Sequence, residues 1–329
     1  MKEAVVKARA KLGKTPDDKD MLRLLNMSTL DEKVSYLNDK FGYMLNTDDL
    51  IIIERQIKDI YKRQLNSLSH FLTSHYKEFF LKYTSKFEIK WIEDIIQSIF
   101  HDTLSENIAD LKENPFSCDI KITDEMTFDE LLLKLKNTRY YRCLLPFAKN
   151  KIEDDSTIFL ISNTLEKFYY RELFDSLKNF NRSEQKIIKN FIAKKVDLVN
   201  LMNLYRFIKF YNLNPAENFN YMIEGGKNIG TRLLKKLSVL NLDEFVKEIE
   251  NTRYKIIFNN LSSEVHLNHS YEEFESRLVD ENLKQYDSEF LKVLAAIDTI
   301  EKQLTNVLRI LELDTESSRD MSSIFLMKG

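Results

Sequence analysis

The 329-residue sequence contains little glycine and little proline, with six and four residues respectively. These two residues are the strongest breakers of regular backbone, so long stretches without them favour helices. The sequence also has no apolar run that approaches the ~20 residues needed to span a membrane. Its Lys-rich beginning has no apolar core and gives no indication of a signal peptide. We therefore expect an all-α protein, with almost no sheet and no transmembrane segment.

Cysteine is scarce as well. Cys118 and Cys143 are the only two cysteines, too few for a disulfide framework, and neither belongs to a CxxC pair. A reduced, cytosolic setting is the expected environment for such a chain. The formal net charge is −3, from 49 basic and 52 acidic residues, so there is no excess of positive charge. This balance argues against a nucleic-acid-binding protein, which usually has a basic domain or stripe.

One segment of the sequence occurs twice. TFDELLLKLKNTRYYRCLLPF begins at Thr127, and NLDEFVKEIENTRYKIIF begins at Asn241. The acidic pair, Asp129-Glu130 in the first copy and Asp243-Glu244 in the second, recurs at an offset of 114 residues. The Asn-Thr-Arg-Tyr motif, which begins at Asn137 and again at Asn251, recurs at the same offset. A weaker third copy, TLDEKVSYLNDKFGYML, begins at Thr29. Self-similarity at a roughly constant period indicates an architecture of repeated structural units.

The repeats predict three similar helical units. A period of ~100 residues is too long for a solenoid repeat, so each unit should have a small core of its own. A linker with Pro115, and the Gly225-Gly226 pair, mark the predicted boundaries. The predicted units are 1–118, 119–227 and 228–329.

Apolar residues at the i, i+3, i+4, i+7 spacing predict several long helices. We expect one uninterrupted helix from Asp48 to about Tyr83 and a last long helix over Ser288–Leu313. A helix that runs to about Tyr211 is predicted to begin after an N-cap, because Asn181 and Ser183 are both suited to accept hydrogen bonds from the first free amides.

Four polar residues interrupt the apolar pattern of that helix. Asp197, Asn200, Asn203 and Arg206 recur at every third position and form a slanting stripe. Polar side chains on an otherwise apolar helix must pair or reach water. The stripe is therefore either a seam that faces a partner or an internal hydrogen-bond network between helices, and we favour the network.

The segment Gly225–Arg232 resembles a phosphate-binding loop at first sight. A P-loop requires Lys followed by Ser or Thr after its second glycine. Here Thr231 and Arg232 occupy those positions, and no β-strand is predicted before them. The pattern argues against nucleotide binding and is explained by a glycine-rich connection between units.

A metal site could be imagined at His266 and His269, with Glu264 and Glu272 nearby. Such a site normally needs three or four converging ligands and a second shell, and the sequence around Asn268 is typical of a polar loop. The pattern therefore argues against a metal site.

No other motif indicates chemistry. No serine lies in a GxSxG context. The paired carboxylates Asp154 and Asp155 belong to a charged loop, where solvation is the usual explanation. The sequence thus predicts no catalytic residue, no cofactor-binding residue, no cofactor and no metal ligand.

Three segments resemble those of a known family, the C subunit of bacterial and archaeal A/V-type rotary ATPases, equivalent to the d subunit of the eukaryotic vacuolar enzyme. They are LLLKLKNTRYYRCLLPF, TLEKFYYREL and KKVDLVNLMNLYRF, followed by the loop IEGGKNI. The matching positions in the second and third segments are Glu166, Tyr169, Tyr170, Leu173, Asp197, Asn200, Leu201, Asn203, Leu204 and Arg206. The sequence departs from the family at both ends, where Lys7–Ala10 is a reduced opening and Leu311-Glu312 replaces the usual Gly-Lys.

The resemblance implies a fold and a role. The fold would be an all-helical funnel of three units with pseudo-threefold symmetry. The protein would have no catalytic site, and it would lie on the cytoplasmic side of the membrane, peripheral to it. Its partners would be the central shaft, subunits D and F, held in the cavity of the funnel, and the ring of membrane proteolipids. It would transmit torque between ATP chemistry and proton or sodium transport, and polar contacts with the shaft would make detachment salt-sensitive.

Two alternatives stay open. The chain could be a generic helical scaffold or interaction protein unrelated to rotary ATPases, which predicts no co-purification with their subunits. It could instead be an enzyme, such as a metal-dependent hydrolase that uses His266 and His269, which predicts bound metal and loss of activity when either is replaced.

Overall fold

The computed structural model describes residues 1–47, 49–148, 155–211, 215–259, 261 and 263–313, and this part of the chain contains 17 α-helices and no β-strand. The predicted all-α fold is confirmed. The first seven helices are α1 (Lys2–Leu12), α2 (Asp18–Leu25), α3 (Leu30–Phe41), α4 (Leu50–Ser69), α5 (Ser74–Thr84), α6 (Lys86–Phe100) and α7 (Leu104–Glu113). The other ten are α8 (Phe128–Leu135), α9 (Tyr141–Leu144), α10 (Asp155–Ser176), α11 (Arg182–Arg206), α12 (Pro215–Asn220), α13 (Thr231–Leu237), α14 (Leu242–Ile249), α15 (Lys255–Phe258), α16 (Glu264–Gln285) and α17 (Glu289–Glu312).

None of these described helices is both long enough and apolar enough to cross a membrane. Most of the charged loop predicted around Asp154, residues 149–154, lies outside the described residues.

All three copies of the repeat begin with the same helix N-capping motif. Helices α3, α8 and α14 each start with a capping box, in which the N-cap side chain and a glutamate three positions later satisfy each other's backbone amides. The three pairs are Thr29–Glu32, Thr127–Glu130 and Asn241–Glu244. The glutamate of the repeated acidic pair is therefore explained by helix initiation.

The described residues form two compact units, and the first consists of Met1–Phe80, Ala109–Ser117 and residues 289–313. The last helix, α17, packs against α1, α2 and α4 within it. Two polar side chains from other parts of this unit form hydrogen bonds with residues of α17 and its C-terminal end. Lys33, only 3% exposed, donates from Nζ to the carbonyl oxygens of Ile310 at 2.8 Å and Leu313 at 3.3 Å. Thr15 Oγ1 lies 2.5 Å from Gln303 Oε1.

The second compact unit consists of Leu81–Ile108 and Cys118–Ser288, and it is built around α11. Every residue of this helix from Asn190 to Tyr205 is buried. A helix that is buried on all sides lies inside a core instead of presenting one face to water. Helices α10 and α16 both pack against it. The predicted N-cap is confirmed, since Asn181 accepts from the backbone N–H of Glu184.

Two predicted helix boundaries are wrong. The single helix expected from Asp48 to Tyr83 is divided into α4 and α5, and Asp48 itself lies outside the described residues. Ser74, where α5 begins, has a φ of 52°, which is outside the α-helical region and is incompatible with a continuous helix through this position. The polar loop expected around Asn268 is instead part of α16, which begins one residue after Ser263. This serine accepts from the backbone N–H of His266 and caps the helix. The last long helix is confirmed as α17.

The three sequence units do not coincide with the two compact units. The sequence division follows the repeat, whereas the compact units follow the density of packing, and the two criteria measure different things. The boundaries 1–118, 119–227 and 228–329 stay a prediction.

Candidate functional site

The polar stripe of α11 lies in the interior of the second unit, where burial of an unpaired polar group is costly. Asp197 and Asn200 are fully buried, and Asn203 is 5% exposed. Each of the three makes hydrogen bonds to other elements of the same unit, described below. The favoured interpretation, an internal hydrogen-bond network, agrees with this arrangement.

Asp197 has a partner on both carboxylate oxygens. Oδ2 accepts from Tyr254 Oη at 2.7 Å and from the backbone N–H of Asn228 at 2.7 Å. Oδ1 accepts from the backbone N–H of Ile229 at 3.1 Å. Burial raises the pKa of this carboxyl above its usual range, while these hydrogen bonds act in the opposite direction because they favour the charged form.

The glycine-rich segment that begins at Gly225 provides the backbone amides that bind the carboxylate of Asp197. Its backbone amides at Asn228 and Ile229 point at the carboxylate of Asp197, in the way that a phosphate loop points amides at a phosphate. Gly226 makes the approach possible, since a Cβ atom at this position would lie 2.3 Å from Asp197 Oδ1. Gly225 has a φ of 96°, a conformation that side chains rarely adopt. In this structure the anion held by the loop is a side chain of the protein itself.

The remaining members of the stripe bind other segments. The side-chain amide of Asn200 donates to the carbonyl of Ile223 and accepts from its N–H, both at 2.8 Å. Asn203 Nδ2 donates to Glu166 Oε2 on α10 at 2.9 Å. Arg206 is half-buried, and its charge lowers the pKa of the same glutamate, although burial dominates and the net shift of Glu166 is upward.

The repeated Asn-Thr-Arg-Tyr motif forms the same turn in both copies. The hydroxyls of Thr138 and Thr252 each donate at 2.8 Å to a carbonyl three residues earlier, which closes the last turn of α8 and of α14. The same hydroxyls accept from the backbone N–H of Tyr140 and Tyr254, at 3.3 and 3.1 Å. The threonine therefore sets the direction in which the tyrosine leaves the turn.

In both copies the tyrosine is buried and donates its hydroxyl to a carboxylate from another helix. Tyr140 Oη lies 2.7 Å from Glu88 Oε2 on α6, and Tyr254 Oη lies 2.7 Å from Asp197 Oδ2 on α11. We call these two contacts the tyrosine clamps. Burial is the first cause that raises the pKa of each tyrosine, and the neighbouring carboxylate adds to it. Each hydroxyl therefore stays protonated and remains a donor at any physiological pH.

The arginine of the motif also binds a carboxylate in both copies. Arg139 Nη2 lies 3.3 Å from Glu88 Oε2, and Arg253 Nη2 lies 2.7 and 2.8 Å from the two carboxylate oxygens of Glu281. Sequence reasoning identified the repeat but not these partners, because glutamates on helices are common and nothing in the sequence distinguishes Glu88 or Glu281 from the others.

Two carboxyl groups on neighbouring helices, Glu93 on α6 and Glu166 on α10, have raised pKa values. Burial raises the pKa of Glu93 to about 8, and the nearby charge of Glu166 adds to this shift, whereas Lys90 opposes it. Burial raises the pKa of Glu166 as well. At neutral pH Glu93 is therefore mostly protonated, so it can donate a hydrogen bond as a neutral acid.

The groups considered for chemistry do not converge. His266 is exposed and its Nδ1 lies 2.7 Å from Ser263 Oγ. Within the described residues no three histidine, cysteine or acidic side chains form a group that could hold a metal ion. Burial raises the pKa of Cys143 to about 11, so its thiol is protonated and weakly nucleophilic at neutral pH.

The comparisons with known proteins agree on one family. Residues 4–318 match the family described as ATP synthase (C/AC39) subunit. The C subunit of the A-type ATP synthase of Methanosarcina mazei is 26% identical over 263 residues, which cover 76% of this chain and 70% of the relative. The proteins of the same name from Methanosarcina barkeri and Archaeoglobus fulgidus are 24% and 26% identical, covering 79% and 75% of this chain and 72% of each relative. Since the family match extends over nearly the whole sequence, this chain belongs to the ATP synthase (C/AC39) subunit family.

Proposed function

We propose that this chain is a non-catalytic rotor subunit in the central stalk of an A/V-type ATPase. It is a socket that links the central shaft, subunits D and F, to the membrane proteolipid ring, and it transmits torque for ATP-coupled proton or sodium transport. It lies on the cytoplasmic side of the membrane and is peripheral to it. The observation that carries this proposal is the family match over residues 4–318.

The interior of the second unit supports a mechanical role. A protein that transmits torque must resist deformation, and close-packed interiors have low compressibility. The carboxylate of Asp197 joins α11 to the Gly225–Gly226 loop and to the repeat turn at Tyr254. Such a network ties three segments together, and a shear of one against another must break several buried hydrogen bonds at once.

The repeated sequence supports the proposed shape. Three copies that begin with the same capping box are the expected origin of three similar units in a funnel with pseudo-threefold symmetry. In this proposal the cavity of the funnel receives the end of the shaft. The contacts are mainly polar and charged, so they weaken as the ionic strength rises.

The experiment is a reconstitution with purified shaft. A tagged form of this chain is mixed with the D–F pair of the same organism and captured at increasing concentrations of sodium chloride. We expect stoichiometric co-elution at low salt and release at high salt. Absence of a complex at every ionic strength would contradict the socket, and a complex insensitive to salt would contradict the polar character of its contacts.

A functional readout completes the test. Membrane vesicles with the assembled ATPase are compared with vesicles whose complex lacks this chain, and both ATP hydrolysis and ion transport are measured. We expect hydrolysis to persist in part while transport is lost, because catalysis and ion movement are no longer coupled. Transport that is unchanged without this chain would exclude a role in coupling.

A further inference from the structure

The second compact unit contains a large cleft. Its volume is about 1430 Å³. It is lined by the end of α8 and the turn after it, by α9, by one face of α10, by the first turns of α11 and by residues 223–225. Sites for small molecules usually have volumes of ~300–1,000 Å³, so this cleft is larger than a single small ligand needs.

The charge of the lining is strongly positive. Seven lining residues are basic and three are acidic, whereas the whole chain has a net charge of −3. The basic residues are Lys136, Arg139, Arg142, Lys167, Arg171, Lys178 and Lys189. A concave surface lined mainly by one sign of charge concentrates field lines and attracts ligands of the opposite sign.

Several of these cations have no acidic partner. Lys136, Arg142 and Lys189 are exposed, and within the described residues none of them makes an ion pair. In contrast, Arg139 and Lys178 bind Glu88 and Asp175. Burial is the main cause that lowers the pKa of Lys167; the charge of Glu224, which also lines the cleft, opposes this shift, and the charge of Arg171 adds to it. An anion in the cleft would pair with the cations that have no acidic partner.

The floor between the cations is apolar. Phe168 and Leu177 are largely buried, Phe174 is half-buried, and all three line the cleft together with Pro146. Inorganic anions gain nothing from aromatic and aliphatic surface. An amphipathic peptide gains from both parts, because apolar side chains cover the floor while acidic side chains reach the cations at the rim.

We propose that this cleft binds an acidic amphipathic segment of a partner protein. The size of the cleft, its unpaired cations and its apolar floor all fit a peptide with leucine-like residues on one side and carboxylates on the other. The inference does not depend on the rotor function, because it rests on the lining of the cleft alone.

The test measures binding of a defined peptide to the full chain. The probe is a fluorescein-labelled peptide of leucine and glutamate, in which leucine recurs at i, i+3, i+4 and i+7, and binding is followed by fluorescence anisotropy. The variant is the double substitution Arg142→Glu and Lys189→Glu. The matched control is the double substitution Arg182→Glu and Lys186→Glu, which makes the same change of charge on α11 at exposed residues outside the lining.

We expect saturable binding that weakens with salt and falls about tenfold or more in the double variant, since two attractive contacts become repulsive. The control should change the affinity by less than about threefold. Circular dichroism checks that each variant keeps its helical content.

Three results would overturn the proposal. Equal weakening in the double variant and in the control would mean that only the overall charge matters. An equally tight complex with a peptide in which lysine replaces glutamate would exclude charge complementarity. Binding of pyrophosphate or of phosphatidylglycerol vesicles through Arg142 and Lys189, without binding of the peptide, would assign the cleft to phosphate groups. None of these results would affect the capture of the shaft, so failure here is distinguishable from failure of the proposed function.

Discussion

The α-carbon of Gly226 lies so close to the carboxylate of Asp197 that a Cβ atom there would be 2.3 Å from Oδ1 and 2.8 Å from the carbonyl oxygen of Ile229. The carboxylate is held by backbone amides of the same loop, and Tyr254 holds it from a third segment. The absence of a side chain at Gly226 therefore leaves the space that the carboxylate of Asp197 occupies.

Replacement of Gly226 by alanine should destabilise the protein by about 2–4 kcal/mol, because a clash with backbone cannot be relieved by rotation of a side chain. Urea denaturation followed by circular dichroism measures the loss. Gly13→Ala is the control, since a Cβ atom there would meet the Arg9 carbonyl oxygen at 3.6 Å, an ordinary contact. It should change the stability by less than about 1 kcal/mol. Similar losses in both variants would mean that the close approach to Asp197 is not limiting.

The tyrosine clamps should contribute through their hydroxyl groups. Tyr254→Phe leaves the ring in place but removes a hydrogen bond to a buried carboxylate, and it should cost about 1.5–3 kcal/mol. Tyr140→Phe should cost a similar amount at Glu88. A double-mutant cycle of Tyr254→Phe with Asp197→Asn tests the contact directly, since residues in one network show coupling energies of ~0.5–3 kcal/mol. Additive losses in this cycle would contradict the clamp.

Local signals in the sequence predict local structure well. The capping glutamates and Asn181 act through amides three residues away or fewer, so their role is visible in a short window of sequence. The stripe at Asp197, Asn200 and Asn203 is visible for the same reason, because its spacing along a helix can be read from the sequence. The spacing alone does not decide between a partner-facing seam and an internal network, and the burial of these side chains in the structure favours the network. The fold class follows from the scarcity of breakers.

The partners of these residues could not be predicted. Tyr254 is 57 positions from Asp197, and no pattern along the chain connects them before the tertiary fold is known. The break before α5 gives no sequence signal because Ser74, with a positive φ, is not a glycine or an asparagine. The start of α16 is hidden because its first turns are as polar as a loop, while the cap at Ser263 is a weak signal by itself.

The buried lysine of the first compact unit gives a third prediction. Lys33→Met keeps the aliphatic stem but removes the ammonium that binds the Ile310 and Leu313 carbonyls at the end of α17. We expect a loss of about 1–3 kcal/mol, because a charged donor at the C-terminus of a helix satisfies free carbonyls and interacts favourably with its dipole. Hydrogen exchange should be faster in the last turns of α17. Lys19→Met, at an exposed position, is the control, and equal effects of both changes would refute the cap.

The neutral carboxyl of Glu93 should make the stability depend on pH. Its pKa is about 8 in the folded protein and ~4.3 in an unfolded chain, so the folded state holds the proton more tightly. The stabilisation is complete below about pH 4 and is lost as the pH rises towards 8, because the unfolded chain releases its proton first.

Glu93→Gln stays neutral throughout, so its stability should decline less between pH 5 and 8. The raised pKa of Glu166 leaves a smaller decline in the variant. Urea midpoints measured at half-unit steps of pH test this, with Glu106→Gln, an exposed glutamate, as the control. Parallel pH profiles for the wild type and Glu93→Gln would show that Glu93 is charged in the folded protein.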